Sequence, residues 1–335
     1  MPQSLKRWPT SAWHVSLALV CALMLAPERV SAAQWELIPD VGVGVQFETN
    51  PRLQRVDEDE ATGLFVNLKL PLTYETGRSM ASFKPRYRRS FYAEDDDEEL
   101  EDEDLWLPIA YQYRTQRSTT GFRAEYSDLS VRTSEFEDVD PDNPSDGSGN
   151  IRNVDDSQER WSFDPYWNLL INPANRIGLT GGYEDVSYDS SFVTSGRVPY
   201  ETTYIQGDYT HILDPRNSVS LLLAAGQYDA EVDFTGTEND TTSYSVRGRY
   251  TRNISERSEF SITAGINNTE FDITRTPIGN VNGEPICINV AGQIVPCSES
   301  DDETNFVGGA EFTRIGIESR TTFSVNQAIR PSSNG

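Results

Sequence analysis

Lys84, Arg86 and Arg88 stand at every second position of one segment, and Arg247 and Arg249 repeat that spacing later in the chain. Side chains two residues apart share one face of a β-strand. Lys69 falls opposite Lys84 if the intervening turn, 75–78, is tight. A basic row on an enclosed face has two readings. It holds an anionic solute or a sugar chain, or it forms a charge ladder with acids such as Asp40, Glu125 and Asp164.

Other residues carry different chemistry. Cys287 and Cys297 share the longest connection, 274–303. In an exported protein they meet oxidising conditions, and a disulfide between them is expected. By chain entropy it would stabilise so short a loop by about 2–3 kcal/mol. Every residue from 94 to 104 except Leu100 is acidic, and Asp138, Asp140, Asp142 and Asp146 form a second cluster. These acids are either divalent-cation sites, which would also bridge lipopolysaccharide, or solvated, self-repelling loops. The second cluster has Asn143 where a calcium loop of the EF type needs Gly, and it lacks the closing Glu, so it is a weak metal candidate. His211 follows the leader alone among histidines and sits beside a short turn at Asp214. Hydrolytic chemistry calls for a His paired with Ser or Asp. At that end of the strand His211 reads as an interfacial polar residue. No phosphate-cradling Gly loop and no metal-spaced His/Cys cluster is present in the sequence. Neither catalytic residues nor a cofactor is therefore expected, and the chain reads as non-enzymatic.

The elements that position these residues follow from composition and pattern. The 335-residue chain has 28 basic and 53 acidic side chains, a net charge of −25. That excess argues against nucleic acid as a partner, since phosphate binding needs a basic footprint. Its hydrophobic fraction is 36%. No stretch after the leader approaches 18 consecutive apolar residues, which excludes a helical membrane bundle. The N-terminus reads as a signal peptide over 1–33. Lys6 and Arg7 form its basic region, an apolar stretch spans 15–25, and small residues stand at Ser31, Ala32 and Ala33. An uncleaved helical anchor is the alternative. Cys21 belongs to this segment, behind bulky Val20, and is not read as a lipidation site.

From residue 34 onward one pattern recurs. Trp35, Leu37, Val41, Val43, Val45 and Phe47 alternate with Glu36, Asp40, Gly42, Gly44, Gln46 and Glu48. Leu64, Val66, Leu68, Leu70, Leu72 and Tyr74 form another dry row, as do Trp161, Phe163, Trp167, Leu169 and Ile171. The pattern predicts strands over about 35–48, 61–74, 79–92, 105–115, 118–132, 160–171, 176–188, 200–213, 218–233, 241–252, 258–272, 304–313 and 319–330. Connections alternate between short turns and long acidic loops. The long ones are expected near 49–60, 93–104, 133–159, 189–199, 234–240 and 273–303. Short turns on one side and long loops on the other is the layout of an outer-membrane barrel. The strands are also longer than the roughly 5 or 6 residues usual in soluble sheets, the layout to which a soluble sandwich or β-helix would belong.

The predicted fold is therefore all-β. It is an antiparallel transmembrane β-barrel over 34–335, in contact with outer-membrane lipid and lipopolysaccharide. Dry rows face lipid and polar rows face the lumen. Trp35, Trp106, Trp161, Tyr74, Tyr111, Tyr113 and Tyr126 are candidates for the aromatic girdles. Pro39, Pro71, Pro85, Pro108 and Pro165 fit poorly, because each removes a ladder donor. About thirteen strands are read, while bacterial barrels have even counts. The expectation is a C-terminally truncated barrel of about 14–18 strands when complete, or a miscounted strand.

Certain short segments also resemble a family. The opening strand ending in Glu48-Thr49-Asn50-Pro51-Arg52-Leu53, the signal peptide, and the late Ile329-Arg330-Pro331-Ser332-Ser333-Asn334-Gly335 resemble the outer-membrane β-barrel proteins of proteobacterial exopolysaccharide and exosortase (PEP-CTERM) gene clusters. The resemblance implies a channel or accessory barrel for polysaccharide export or anchoring, with a polysaccharide chain as partner. It names no catalytic residues. A general diffusion porin and an adhesive barrel acting through acidic external loops are the alternatives.

Overall fold

The computed structural model describes residues 33–49, 60–93, 101–130, 157–189, 197–232, 237–281, 284–288, 294–316 and 319–327. The segment read as a signal peptide lies outside them, as do Asp138, Asp140, Asp142 and Asp146. Among the described residues no helix is long and apolar enough to cross a membrane.

The chain forms one antiparallel meander. It opens with β1 (Gln34–Leu37) and β2 (Asp40–Thr49), β3 (Glu60–Lys69) and β4 (Leu72–Glu75), and β5 (Ser79–Phe83) and β6 (Arg86–Ala93). Unbroken strands follow: β7 (Glu101–Arg114), β8 (Ser118–Ser130), β9 (Ser157–Asn172), β10 (Asn175–Tyr188), β11 (Tyr200–Asp214), β12 (Asn217–Val232), β13 (Thr237–Ser255) and β14 (Ser258–Arg275). A small separate sheet of β15 (Gly279–Val281), β16 (Glu284–Ile288) and β17 (Ile294–Val295) precedes β18 (Ser298–Ile315) and β19 (Arg320–Gln327). The main sheet has sixteen segments. The first three passes are each split in two, so the sheet makes thirteen passes, as the periodicity predicts. Among the described residues no pairing joins β19 back to β1 or β2.

The splits fall at prolines, and they lie side by side. Leu37 pairs with Leu72, Leu72 with Phe83, and Phe83 with Ile109. Just beyond that row stand Pro39, Pro71, Pro85 and Pro108. The amide of Ile38 donates to the Pro71 carbonyl (3.3 Å), that of Leu70 to Pro85 (3.0 Å) and that of Lys84 to Pro108 (3.1 Å). A hydrogen-bonded antiparallel pair normally exchanges two such bonds. Proline cannot return the second, so the loss is confined to one line across four passes. Pro108 and Pro165 do not break their strands, although the β9–β10 ladder skips Gly181 and Gly182 beside Pro165.

Burial runs opposite to that of a water-soluble protein. Val43 is 67% exposed and Phe47 79%, while Asp104 is 0% and Ser127 2% exposed. Ser90, Gln158, Thr241, Thr269 and Thr313 are also buried, on the same polar face. A sheet that buries hydroxyls and a carboxylate while exposing its Val, Leu and Ile rows is curled around its polar face. That is a β-barrel adapted to an apolar surround. Aromatic pairs border the exposed apolar band at both ends. Trp35 meets Tyr74 (4.5 Å between ring centroids) toward the short turns, and Tyr126 meets Trp161 (4.4 Å) toward the long loops. Trp106 is the exception among the girdle candidates. It is buried on the polar face, because residue 106 has the opposite parity to Leu105 and Leu107.

Five of the short turns share one device. Thr76 accepts from the amide of Ser79 (2.8 Å), Thr115 from Ser118 (2.9 Å), Asn172 from Ala174 (2.9 Å), Asp214 from Arg216 (2.7 Å) and Ser255 from Arg257 (3.3 Å). A side-chain oxygen at the first position thus closes each turn. At the other end the expected loops are too long. Glu101–Asp104 belong to β7, β13 starts at Thr237 and β18 at Ser298. Ladder hydrogen bonds carry the strands past the apolar band into acidic sequence.

Candidate functional site

The polar face is positioned by register. Lys69 pairs with Arg86, and Arg86 with Trp106. Asn67 pairs with Arg88, and Arg88 with Asp104. Lys69 is therefore opposite Arg86 and not opposite Lys84, which lies exposed in the proline break with its amide on Pro108. The pairing is two residues out from the tight-turn expectation.

The two arginines are held by aromatic rings and amides. The Arg86 guanidinium lies over the Trp106 ring, 4.2 Å from its centroid, and its Nε donates to Asn67 Oδ1 (3.4 Å). Arg88 lies 5.5 Å from the Phe65 centroid and donates from Nη2 to Gln46 Oε1 (2.8 Å). Gln46 in turn donates to the Tyr92 hydroxyl. Stacking covers the faces of these planar cations and leaves their N–H edges to make bonds. Lys69 has an acid in reach, Asp40 at 4.0 Å. Asp104 accepts from both the amide (3.0 Å) and the hydroxyl (3.2 Å) of Ser130.

Further round the sheet the charges pair off. Arg160 donates from Nη2 (2.7 Å) and Nε (3.2 Å) to one oxygen of Glu184, Oε2, and Tyr200 donates to the other, Oε1 (3.0 Å). Arg123 stands opposite Asp164, which accepts from Tyr204 (3.2 Å). The charge-ladder reading thus describes Lys69 and Arg160. It does not describe Arg88, Arg247 or Arg249, which have no carboxylate partner among the described residues. Arg247 and Arg249 share the polar face of β13, opposite Leu222 and Ser220 on one side and Gly265 and Thr263 on the other.

The remaining candidates resolve separately. Cys287 and Cys297 form the expected disulfide. It ties β16 to the segment leading into β18, where Arg275 donates to the Pro296 carbonyl (2.8 Å) and pairs with Glu299 (3.6 Å). His211 lies near its short turn, with Nδ1 2.8 Å from Asn175 Oδ1, which also accepts from Tyr209 (2.6 Å). No group of three or more His, Cys, Asp or Glu with metal-holding geometry occurs among the described residues. A row of acids on the apolar side's long-loop margin was not anticipated. Asp185, Glu201, Asp229, Asp240 and Asp272 stand directly opposite one another across five strands. Like charges so placed repel. Only register reveals the row, because its members lie in five separate segments.

No family model and no curated protein matches the chain. Solved structures do. The chain is similar to a loop-deletion form of OmpT, an outer membrane protein of Vibrio cholerae, at 8% identity and a TM-score of 0.37, covering 88% of this chain and 100% of that one. It is similar to an outer membrane channel from Pseudomonas putida F1 at 14% identity and a TM-score of 0.34, covering 86% and 98%. LpxR from Salmonella typhimurium is also similar, at 9% identity and a TM-score of 0.25, covering 72% and 88%. The expectation that the chain is not an enzyme is corrected: it rested on absent motifs, and a β-barrel architecture by itself does not decide between catalysis and transport. The exclusion of catalysis is withdrawn.

Proposed function

We propose that this barrel sits in the bacterial outer membrane, delivered by a cleaved signal peptide, and serves as a channel or accessory barrel for extracellular polysaccharide. The observation that carries the reading is the enclosed polar face. It presents arginines with no carboxylate partner among the described residues, Arg88, Arg247 and Arg249, in a chain with almost twice as many acids as bases. An acidic chain that leaves cations unpaired on its inner wall is suited to an anionic passenger. Lys69, Arg86 and Arg88 form one basic strip of the proposed lumen and Arg247 and Arg249 another. The resemblance to barrels of exopolysaccharide gene clusters supplies the polymer.

Two measurements test this. Refolded protein in planar bilayers should conduct and prefer anions, and a strain lacking the gene should lose secreted polysaccharide. Conductance with unchanged secretion favours the second reading, a general diffusion porin, to which the uncharged Ser243, Ser245, Thr263 and Asn267 of the same face are suited. Absence of both effects rejects the proposal.

A further inference from the structure

Arg247 and Arg249 are arranged differently from the stacked pair on β6. The Arg247 side chain lies across Gly265, with its Cγ 2.6 Å from where a Cβ on that glycine would stand. Its row continues to the buried Val307 and, on the other side, the buried Leu222. Arg249 reaches in the same direction, and its Nε donates to Thr263 Oγ1 (3.1 Å). Thr263 stands opposite Gly309, so the next position of its row carries no side chain larger than hydrogen. The next row toward the long loops is Ser245, Asn267 and Asn305. Arg247 Nε and Asn305 Nδ2 are both shielded and have no hydrogen-bond partner among the described residues. Glu303, opposite Thr269, and Glu311 are the acids of this face that flank the cluster on β18. Glu311 stands opposite Ser261, one row from Thr263, and its carboxylate accepts from Thr313 (3.1 Å).

Two arginines whose Cα atoms are about 7 Å apart along one strand thus stand beside a floor of Gly265 and Gly309. Thr263 answers Arg249, while Arg247 Nε and Asn305 Nδ2 have no acceptor among the described residues. We infer that Arg247 and Arg249, with Asn305, form a clip for an oxyanion, a carboxylate or phosphate carried on a saccharide chain. The inference rests on the channel reading and names the chemical class of its passenger. The planar fork of arginine matches both oxyanions. Burial of Leu222 and Val307 alongside lowers the local dielectric and strengthens the attraction.

The test uses the full refolded chain, with retained heat-modifiable migration as the folding criterion for each variant. Polygalacturonate is the polymer probe, inorganic phosphate the free-anion probe, and neutral dextran the control. Binding is titrated in detergent, and current block is recorded in bilayers. The pair R247Q/R249Q should weaken polygalacturonate binding by about tenfold or more, the loss expected when charge-assisted bonds go, and should leave dextran unaffected. R247K/R249K should recover only part of it. Binding of phosphate alone, with polygalacturonate excluded, would overturn the polymer assignment. Unchanged polygalacturonate binding in a folded R247Q/R249Q variant would overturn the clip. Binding in detergent that is lost in R247Q/R249Q, without conductance in bilayers, would support the clip and reject the channel.

Discussion

Between β1 and β7 three passes are cut at Pro39, Pro71 and Pro85, and the polar face carries guanidiniums stacked on Trp106 and Phe65. From β10 to β14 no strand is cut, β13 and β14 run 19 and 18 residues, and the polar face is built from Gly, Ser, Thr and Asn around Arg247 and Arg249. The first region gives up ladder bonds and holds its cations by rings and amides. The second keeps its strands whole and omits side chains at Gly265 and, on the neighbouring β18, at Gly309. The comparison teaches that two basic strips of similar composition differ in what fixes them, packing in one case and backbone regularity in the other.

The largest effect should come from the second region's covalent tie. Replacing Cys287 and Cys297 by Ser removes the link that closes the small sheet between β14 and β18. The loss is about 2–3 kcal/mol by chain entropy, and it should be local. Protease cutting and hydrogen exchange within 276–297 should rise, while the heat-modification temperature of the barrel stays put. A fall in that temperature comparable to the loop's loss would mean the sheet depends on the loop.

Backbone regularity is tested next by Gly265→Val. A Cβ there would stand 2.2 Å from the Val246 carbonyl oxygen, so backbone must shift, at a cost of about 1–3 kcal/mol. Gly207 on β11 has nothing within 4 Å of the same position. Gly207→Val should be neutral or slightly stabilising, since the residue gains strand propensity on an exposed apolar face. Equal losses in both variants, measured as the midpoint of heat modification, would reject the argument.

The interrupted region makes the opposite prediction. Pro71→Val returns an N–H that can reach the Ile38 carbonyl, completing a pair that now has one bond. The expected gain is about 0.5–1.5 kcal/mol, read as slower unfolding in urea. A loss would show that the line of prolines is required by the curvature of the sheet there.

These contrasts were unequally legible in the sequence. The apolar rows and the thirteen passes follow from period two, which survives the breaks because each proline pair skips without changing parity: Leu68, Leu70 and Leu72 stay on one face. The short turns were legible from Asn172-Pro173 and Asp214-Pro215. The partner of Lys69 was not, because register depends on where a turn closes, and a shift of two residues leaves the faces unchanged. The strand extensions beyond the apolar band were hidden because acidic composition reads as loop. Buried Asp104 was hidden within such a run. The disulfide needed only export and proximity in sequence. The clip at Arg247 was half legible. Its two arginines share a face by spacing, but the glycine floor comes from β14 and β18, and only pairing brings those residues beside them.

The smallest effect compares two turns that close alike, at Asn172 and Asp214. Each uses a side-chain oxygen to accept amides ahead of it, but only Asp214 can lose its charge. The Asn217 side chain, followed by the Arg216 amide, holds its carboxyl below its ordinary value of 3.8. A depressed folded-state pKa means that the carboxylate stabilises the turn above the unfolded value. The contribution then fades as pH falls through the folded one. Asp214→Asn installs the neutral chemistry of the Asn172 turn. The variant should be slightly less stable than the parent at neutral pH, and the gap should close below about pH 3.8. Asn172→Asp should do the reverse, adding a pH dependence where none existed. Paired urea titrations at pH 7 and pH 3 measure both differences against the same background of titrating acids. If the gap between parent and Asp214→Asn were the same at both pH values, hydrogen bonding without charge would account for the turn, and the two turns would be equivalent.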